Sequence, residues 1–232
     1  MNERWTVSVV IKCVFAVLLL IGCSRTKSQK SGEETLDSPG FHAQVSDAYK
    51  PQRINTIVVS PVIKSDQLEI EPHRLEDLTR QLSTVLALNT SMVLLNLDQA
   101  ETVASGLRKI RSENPDLGDR EVALKLGKLI GAQGVVCTQV GAFNEKITAG
   151  VQEGADSHVG FNMELVNVET GQMLWRGLYS KKNEPLTENL FKMSEKFSEG
   201  VGYKTSSELI EQGFVYAASS LEKIRQSPLT NK

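Results

Sequence analysis

The distribution of apolar positions divides the chain into three stretches. A run free of charge lies between Lys12 and Arg25 and carries eight consecutive apolar residues, Val14 to Ile21. From Ser24 to about Gln52 there is hardly a residue to bury before Phe41 and Val45. Apolar residues then return with regular spacing. Ile54 to Val62 is rich in β-branched residues and broken by Pro61, which predicts a buried first strand. Pro72 opens a segment in which Leu75, Leu78, Leu82, Val85 and Leu86 fall on one stripe, the spacing of an amphipathic helix.

Further along, Met92 to Leu95 reads as a short strand and about Asp98 to Ile110 as a helix presenting Val103, Leu107 and Ile110. Asn114, Pro115 and Gly118 mark a loop. Asp119 is the expected N-cap of a helix carrying Val122, Ala123, Leu126, Leu129 and Ile130, which Gly131 closes. A strand from Gly134 to Gly141 follows. Alternation over 158–167 and 172–179, joined through Glu169-Thr170-Gly171, predicts an antiparallel hairpin. On the second strand it sets Trp175 on the face of Met173 and Gly177. Thr205 to Glu208 forms a capping box ahead of a helix with Leu209, Ile210, Phe214, Ala217, Leu221 and Ile224 on one side. The order β-α-β-α-α-β-β-β-α begins with crossover units and ends with hairpins. The expected fold class is α/β: a mixed sheet, parallel units followed by an antiparallel hairpin, flanked by helices.

The first stretch is too short to span a membrane, because a hydrocarbon core about 30 Å thick needs about 20 apolar helical residues. With Arg4 and Lys12 ahead of the apolar core, it has the parts of a secretory signal. Leu20-Ile21-Gly22-Cys23 resembles the bacterial lipobox, in which the cysteine is acylated and becomes the first mature residue. Two or three acyl chains make such an attachment practically permanent. Ser24 stands where many Gram-negative bacteria place Asp to retain a lipoprotein in the inner membrane, which favours the outer membrane, facing the periplasm. The expected organisation is a signal peptide over 1–22, a tether over 23–52 from lipidated Cys23, and one domain over 53–226.

Without residues 1–22, which hold Arg4, Lys12 and Glu3, the 26 basic and 28 acidic residues fall to 24 and 27. A balance so near neutral, with its Lys and Arg scattered, offers no phosphate-tracking surface and argues against nucleic acid. Of the three cysteines, Cys13 leaves with the signal and Cys23 carries lipid, so Cys137 has no partner for a disulfide. His42, His73 and His158 are far apart and fit no metal-ligand spacing, and no Gly-x-Ser-x-Gly elbow occurs. Gly127 and Gly131 lack the spacing of a dinucleotide loop. Neither a cofactor nor an enzymatic activity is expected.

Three segments resemble one superfamily of bacterial envelope proteins: Thr56 to Pro61, Ala123 to Val136, and Leu165 to Trp175. It contains the curli-secretion lipoprotein CsgG, the penicillin-binding-protein activator LpoB and the N-terminal domain of TolB. The resemblance covers about residues 54–222. It implies that the chain assembles with an envelope protein partner rather than catalyses. The pore-forming members insert amphipathic hairpins, whose strands need about 9 to 11 residues each. Asn144 to Ser157, with Glu145, Lys146, Glu153 and Asp156, offers no such pair. The preferred reading is a lipid-anchored periplasmic accessory protein acting by protein–protein binding. The alternative is a subunit of an oligomeric secretion or flagellar-associated outer-membrane ring without its own barrel.

Candidates for partner contact are few. Trp175 is either a core anchor of the hairpin or an exposed binding aromatic. Phe191 lies in a segment, Pro185 to Tyr203, that is either a helix folded on the domain or a partner-facing flap. Glu76 and Asp77 belong with Asp66, Glu69 and Glu71 to an acidic cluster that is a solvated face or a docking patch. Cys137, among Val135, Val136 and Val140, reads as a small core residue. Replacement of Cys23 by Ala is expected to abolish incorporation of a labelled palmitate analogue and to release the chain from the membrane fraction. Retained label in Cys23→Ala would place the acylation elsewhere.

Overall fold

The computed structural model describes residues 38–47, 49, 54–95, 99–144, 157–183 and 204–226. Among them are the strands β1 (Phe41–Val45), β2 (Thr56–Val59), β3 (Ile63–Lys64), β4 (Val93–Leu94), β5 (Gly134–Asn144), β6 (His158–Asn167) and β7 (Met173–Lys182). The helices are α1 (Pro72–Asn89), α2 (Ala100–Glu113), α3 (Asp119–Ile130) and α4 (Ser206–Gln226). The strands form one sheet in the order β1-β7-β6-β5-β2-β4, with β3 paired to β5 beyond the end of β2. Pairing is parallel among β4, β2, β5 and β3, and antiparallel from β5 through β6 and β7 to β1. The expected mixed α/β sheet is the fold observed.

Local chemistry accounts for the element ends. Ile57, Val58 and Val59 are buried in succession, as in a strand covered on both faces. Ser60 N–H still reaches Val136 O at 2.9 Å, but Pro61 has no donor, and the chain resumes against β5 as β3. Pro72 sits in the first turn of α1, where its missing N–H costs nothing. The α3 end is set by Gly131, whose φ of 74° is left-handed, while Ala132 N–H returns to Gly127 O at 2.9 Å. At the start of α4, Glu208 N–H donates to Thr205 Oγ1 at 3.2 Å and Thr205 N–H to the Glu208 carboxylate at 2.7 Å, the reciprocal capping box.

Three expectations need correction. Asp119 is the first helical residue rather than the N-cap: Gly118 holds that place, and its N–H donates to Glu121 Oε2 at 3.3 Å. The proposed tether to residue 52 runs too far, because β1 belongs to the sheet, with Phe41 opposite Tyr179 and Val45 opposite Trp175. Phe41 and Ala43 are 1% and 0% exposed and alternate with exposed His42 and Gln44, a period-two strand whose apolar face includes a small residue. Trp175 does not share a face with Met173. The β6–β7 register shifts between Leu165 and Val166, so Leu174 and Trp175, adjacent in sequence, both enter the same core.

Helices α1 and α4 cover one face of the sheet, over a core that includes Phe41, Phe161, Trp175, Tyr179 and Phe214. Phe161 lies 5.1 Å from Phe214 and 5.3 Å from Tyr179 between ring centroids, the spacing of tilted aromatic pairs. The opposite face carries a smaller core, in which Val103 and Ile110 of α2 and Val122, Ala123 and Leu126 of α3 pack on Val58, Val135 and Val166. Those two helices lie over the parallel half and the Val166 end of β6. On the antiparallel half no described helix covers Asn162, Glu164, Arg176, Leu178 or Gln44. Phe41→Ala is expected to lower unfolding stability by about 3 to 5 kcal/mol, the cost of emptying an aromatic core site. Urea denaturation of the lipidated protein checks it, and a loss under about 1 kcal/mol would mean that β1 contributes little to the core.

Candidate functional site

Because α2 and α3 stop half-way across the sheet, their flank and the uncovered strands enclose a cleft of about 660 Å³. Leu107 forms an apolar wall backed by the buried Val122 and Ala123, and Ser60, Pro61 and Ile63 close the end beyond β2. Strands β5, β6 and β7 supply Cys137, Gln139, Asn162, Glu164 and Arg176 as the floor. Strand alternation puts these polar residues on the face away from α1 and α4.

Charges are concentrated here. Glu164, whose side chain is 13% exposed, accepts from Arg120 Nη1 at 3.2 Å and pairs with Arg176 Nη2 at 3.0 Å. Arg176 Nε also donates to Asn162 Oδ1 at 3.0 Å, and Arg120 Nη2 to Gly171 O at 3.3 Å. Arg111 pairs with Asp119, fastening the end of α2 to the start of α3. Arg108 is exposed and, among the described residues, has no ion-pair or hydrogen-bond partner. Four guanidinium groups thus face two carboxylates, a local surplus of positive charge in a chain whose formal charge is −2.

Cys137 is half-buried in the floor and opposite Glu164 in the β5–β6 register. Burial pushes its thiol pKa up; a hydrogen bond with Ser60 and the charge of Arg120 oppose this without reversing it. The described residues hold no group of three or more His, Cys, Asp or Glu side chains able to bind a metal ion. No described helix is long and apolar enough to cross a membrane.

The candidates named from sequence are not brought together. Trp175 is 0% exposed and its Nε1 donates to Ser220 Oγ at 3.2 Å, so the indole offers no surface to a partner. Glu76 is exposed on α1, and Asp77 pairs with Arg80 at 3.3 Å through half-exposed side chains, an arrangement worth little in water. Both lie across the sheet from the cleft. Cys23 and Phe191 lie outside the described residues. The arginines of the cleft were missed because they come from three separate elements. In the folded hairpin the register shift sets Glu164 directly opposite Arg176, a cross-strand pair of opposite charge that an unshifted hairpin would not have aligned.

A sequence profile of the family described as "Peptidoglycan-synthase activator LpoB" matches residues 27–180, well over half of the chain. The chain belongs to the LpoB family. No curated protein matches it significantly. Among solved structures it is similar to the PelC dodecamer from Paraburkholderia phytofirmans, at 14% identity and a TM-score of 0.44 over 78% of this chain and 96% of that one. It is also similar to the LpoB C-terminal domain from Escherichia coli, at 19% identity and a TM-score of 0.39 over 59% and 87%. A lipoprotein of Neisseria meningitidis gives 14% and 0.38 over 62% and 99%.

The elevated thiol pKa of Cys137 makes it a slow nucleophile. Since only the thiolate reacts, alkylation by iodoacetamide at pH 7.5 is expected to run below the rate of a free thiol. The rate should climb about tenfold per pH unit up to a plateau above the ordinary cysteine range. A plateau reached below that range would mean that the thiol is activated rather than suppressed.

Proposed function

We propose that this LpoB-family chain is a lipid-anchored periplasmic protein that activates a peptidoglycan synthase by binding it, without catalysing a reaction of its own. Membership of the family, carried by the match over residues 27–180, is the observation behind the reading. The sequence adds the means of placement. Cys23 ends an apolar signal and provides an acylation site, and the outer membrane is the favoured destination. With β1 in the sheet, the tether runs from Cys23 only to about Ser38. A coil of that length spans about 20 Å on average and about 50 Å when stretched. The wider kinship with CsgG and the N-terminal domain of TolB rests on Thr56 to Pro61, Ala123 to Val136 and Leu165 to Trp175, and belongs to the same proposal.

The reading is tested with the lipidated protein, detergent-extracted and added to each bifunctional peptidoglycan synthase of the same cell, while glycan-strand synthesis from its lipid-linked precursor is followed. The expected result is a several-fold rise in rate with one synthase, accompanied by its capture in cross-linking. No rise with any of them would overturn the proposal. A large ring in the mass measurement of the same preparation would turn the reading to the oligomeric alternative.

A further inference from the structure

The cleft between the α2–α3 pair and the open sheet lies beyond the carboxyl end of β2. From there the chain continues as β3 against β5 before α1 returns it to β4, while on the other side β5 hands on to β6. Crevices at such a divergence in α/β sheets are where these folds bind ligands. The volume of about 660 Å³ falls within the roughly 300 to 1,000 Å³ of small-molecule sites. Its lining is of two kinds: apolar Leu107, Pro61 and Ile63, and the guanidinium groups of Arg108, Arg111 and Arg120 from the helices and of Arg176 from β7.

Those arginines are not spent on one another's partners. A guanidinium has five N–H donors. Arg176 donates one, to Asn162, and pairs with Glu164, while Arg120 donates two, to Glu164 and Gly171. Arg108 uses none among the described residues. A single carboxylate shared between Arg120 and Arg176 fixes both planes while leaving donors in excess, the preorganised geometry in which bidentate recognition of an oxyanion is strongest.

We propose that this cleft is a binding site for a small organic oxyanion, a carboxylate or phosphate group carried on an apolar body. The anionic group sits against Arg108, Arg120 and Arg176, and the body lies on Leu107, Pro61 and Ile63. This proposal does not rest on the accessory reading. Failure of the synthase measurement leaves it intact, and its failure leaves the accessory reading intact.

The test uses the full lipidated chain in detergent, with Cys137 in the cleft floor as reporter. Phenylacetate and phenyl phosphate are titrated while alkylation of Cys137 by iodoacetamide is timed, with the thermal midpoint as a second readout. Saturable slowing of at least threefold is expected, with a half-effect near or below about 1 mM, the scale of a fragment-sized ligand. The probe with the lower half-effect tells a planar carboxylate source from a tetrahedral phosphate source. Arg108→Ala, which breaks no ion pair or hydrogen bond among the described residues, should raise the half-effect about tenfold, and so should Arg176→Gln. Lys109→Ala, on the same helix but outside the cleft, should leave it unchanged. Equal protection by neutral phenylacetamide would overturn the proposal, as would half-effects unmoved in both arginine variants. Protection by phosphatidylglycerol vesicles without protection by the soluble probes would also overturn it and make the face a membrane contact.

Discussion

Everything in this fold depends on β5, the one strand that must satisfy two kinds of pairing at once. Its first residues run parallel to β2, its later ones take β3 on the same edge, and the whole of its other edge is antiparallel to β6. Val135 and Val136 point to opposite faces and both are wholly buried, so each face needs a cover at that point. Burying such a side chain contributes about 1.5 to 3 kcal/mol, which neither face could gain without helices above it. The approach of neighbours is close enough that a Cβ at Gly134 would lie 2.9 Å from Leu165 and 3.1 Å from Ile54. Farther along, the demand changes. Val140 remains buried on the α1–α4 side, whereas Cys137 and Gln139 face a side that α2 and α3 no longer reach. The cleft is therefore a consequence of where double coverage ends.

What could be read from the sequence follows from the same division. Helix periodicity in α1 and α4, alternation in β6 and β7, and the Gly131 stop are local signals, and each marks its element to within a few residues. The misses arose where a tertiary partner decides. In β1 only Phe41 and Val45 catch the eye, because the residue between them on the buried face is Ala43; pairing with β7 makes it a strand. β3 is only two residues, sustained by β5. The bulge at Leu174 overrides the alternation that would set Trp175 beside Met173. Asp119 carries the right side chain for a cap but is drawn instead to Arg111, leaving Glu121 to serve Gly118. The site was least legible, since Arg108, Arg120 and Arg176 have no common period and meet only once two helices and a hairpin are in place.

The charged floor of the cleft also serves the fold. Arg120 stands near the start of α3 and Arg176 on β7, and both close on Glu164 of β6, so one carboxylate joins the helix layer to the hairpin. A charge pair taken out of water costs more in lost hydration than it regains unless hydrogen bonds satisfy the remaining groups. Here they do so only in part, through Asn162 and Gly171 O. At 13% exposure the Glu164 side chain is largely withdrawn from water, while Arg120 and Arg176 stay near half-exposed, at 47% and 40%. Solvation is thus retained on the cationic side of the network, the side with the excess of donors. An apolar replacement of all three would hold α3 on the sheet at no smaller free energy, yet it would erase the field in the cleft. The donors left in excess are those that the proposed oxyanion site would use.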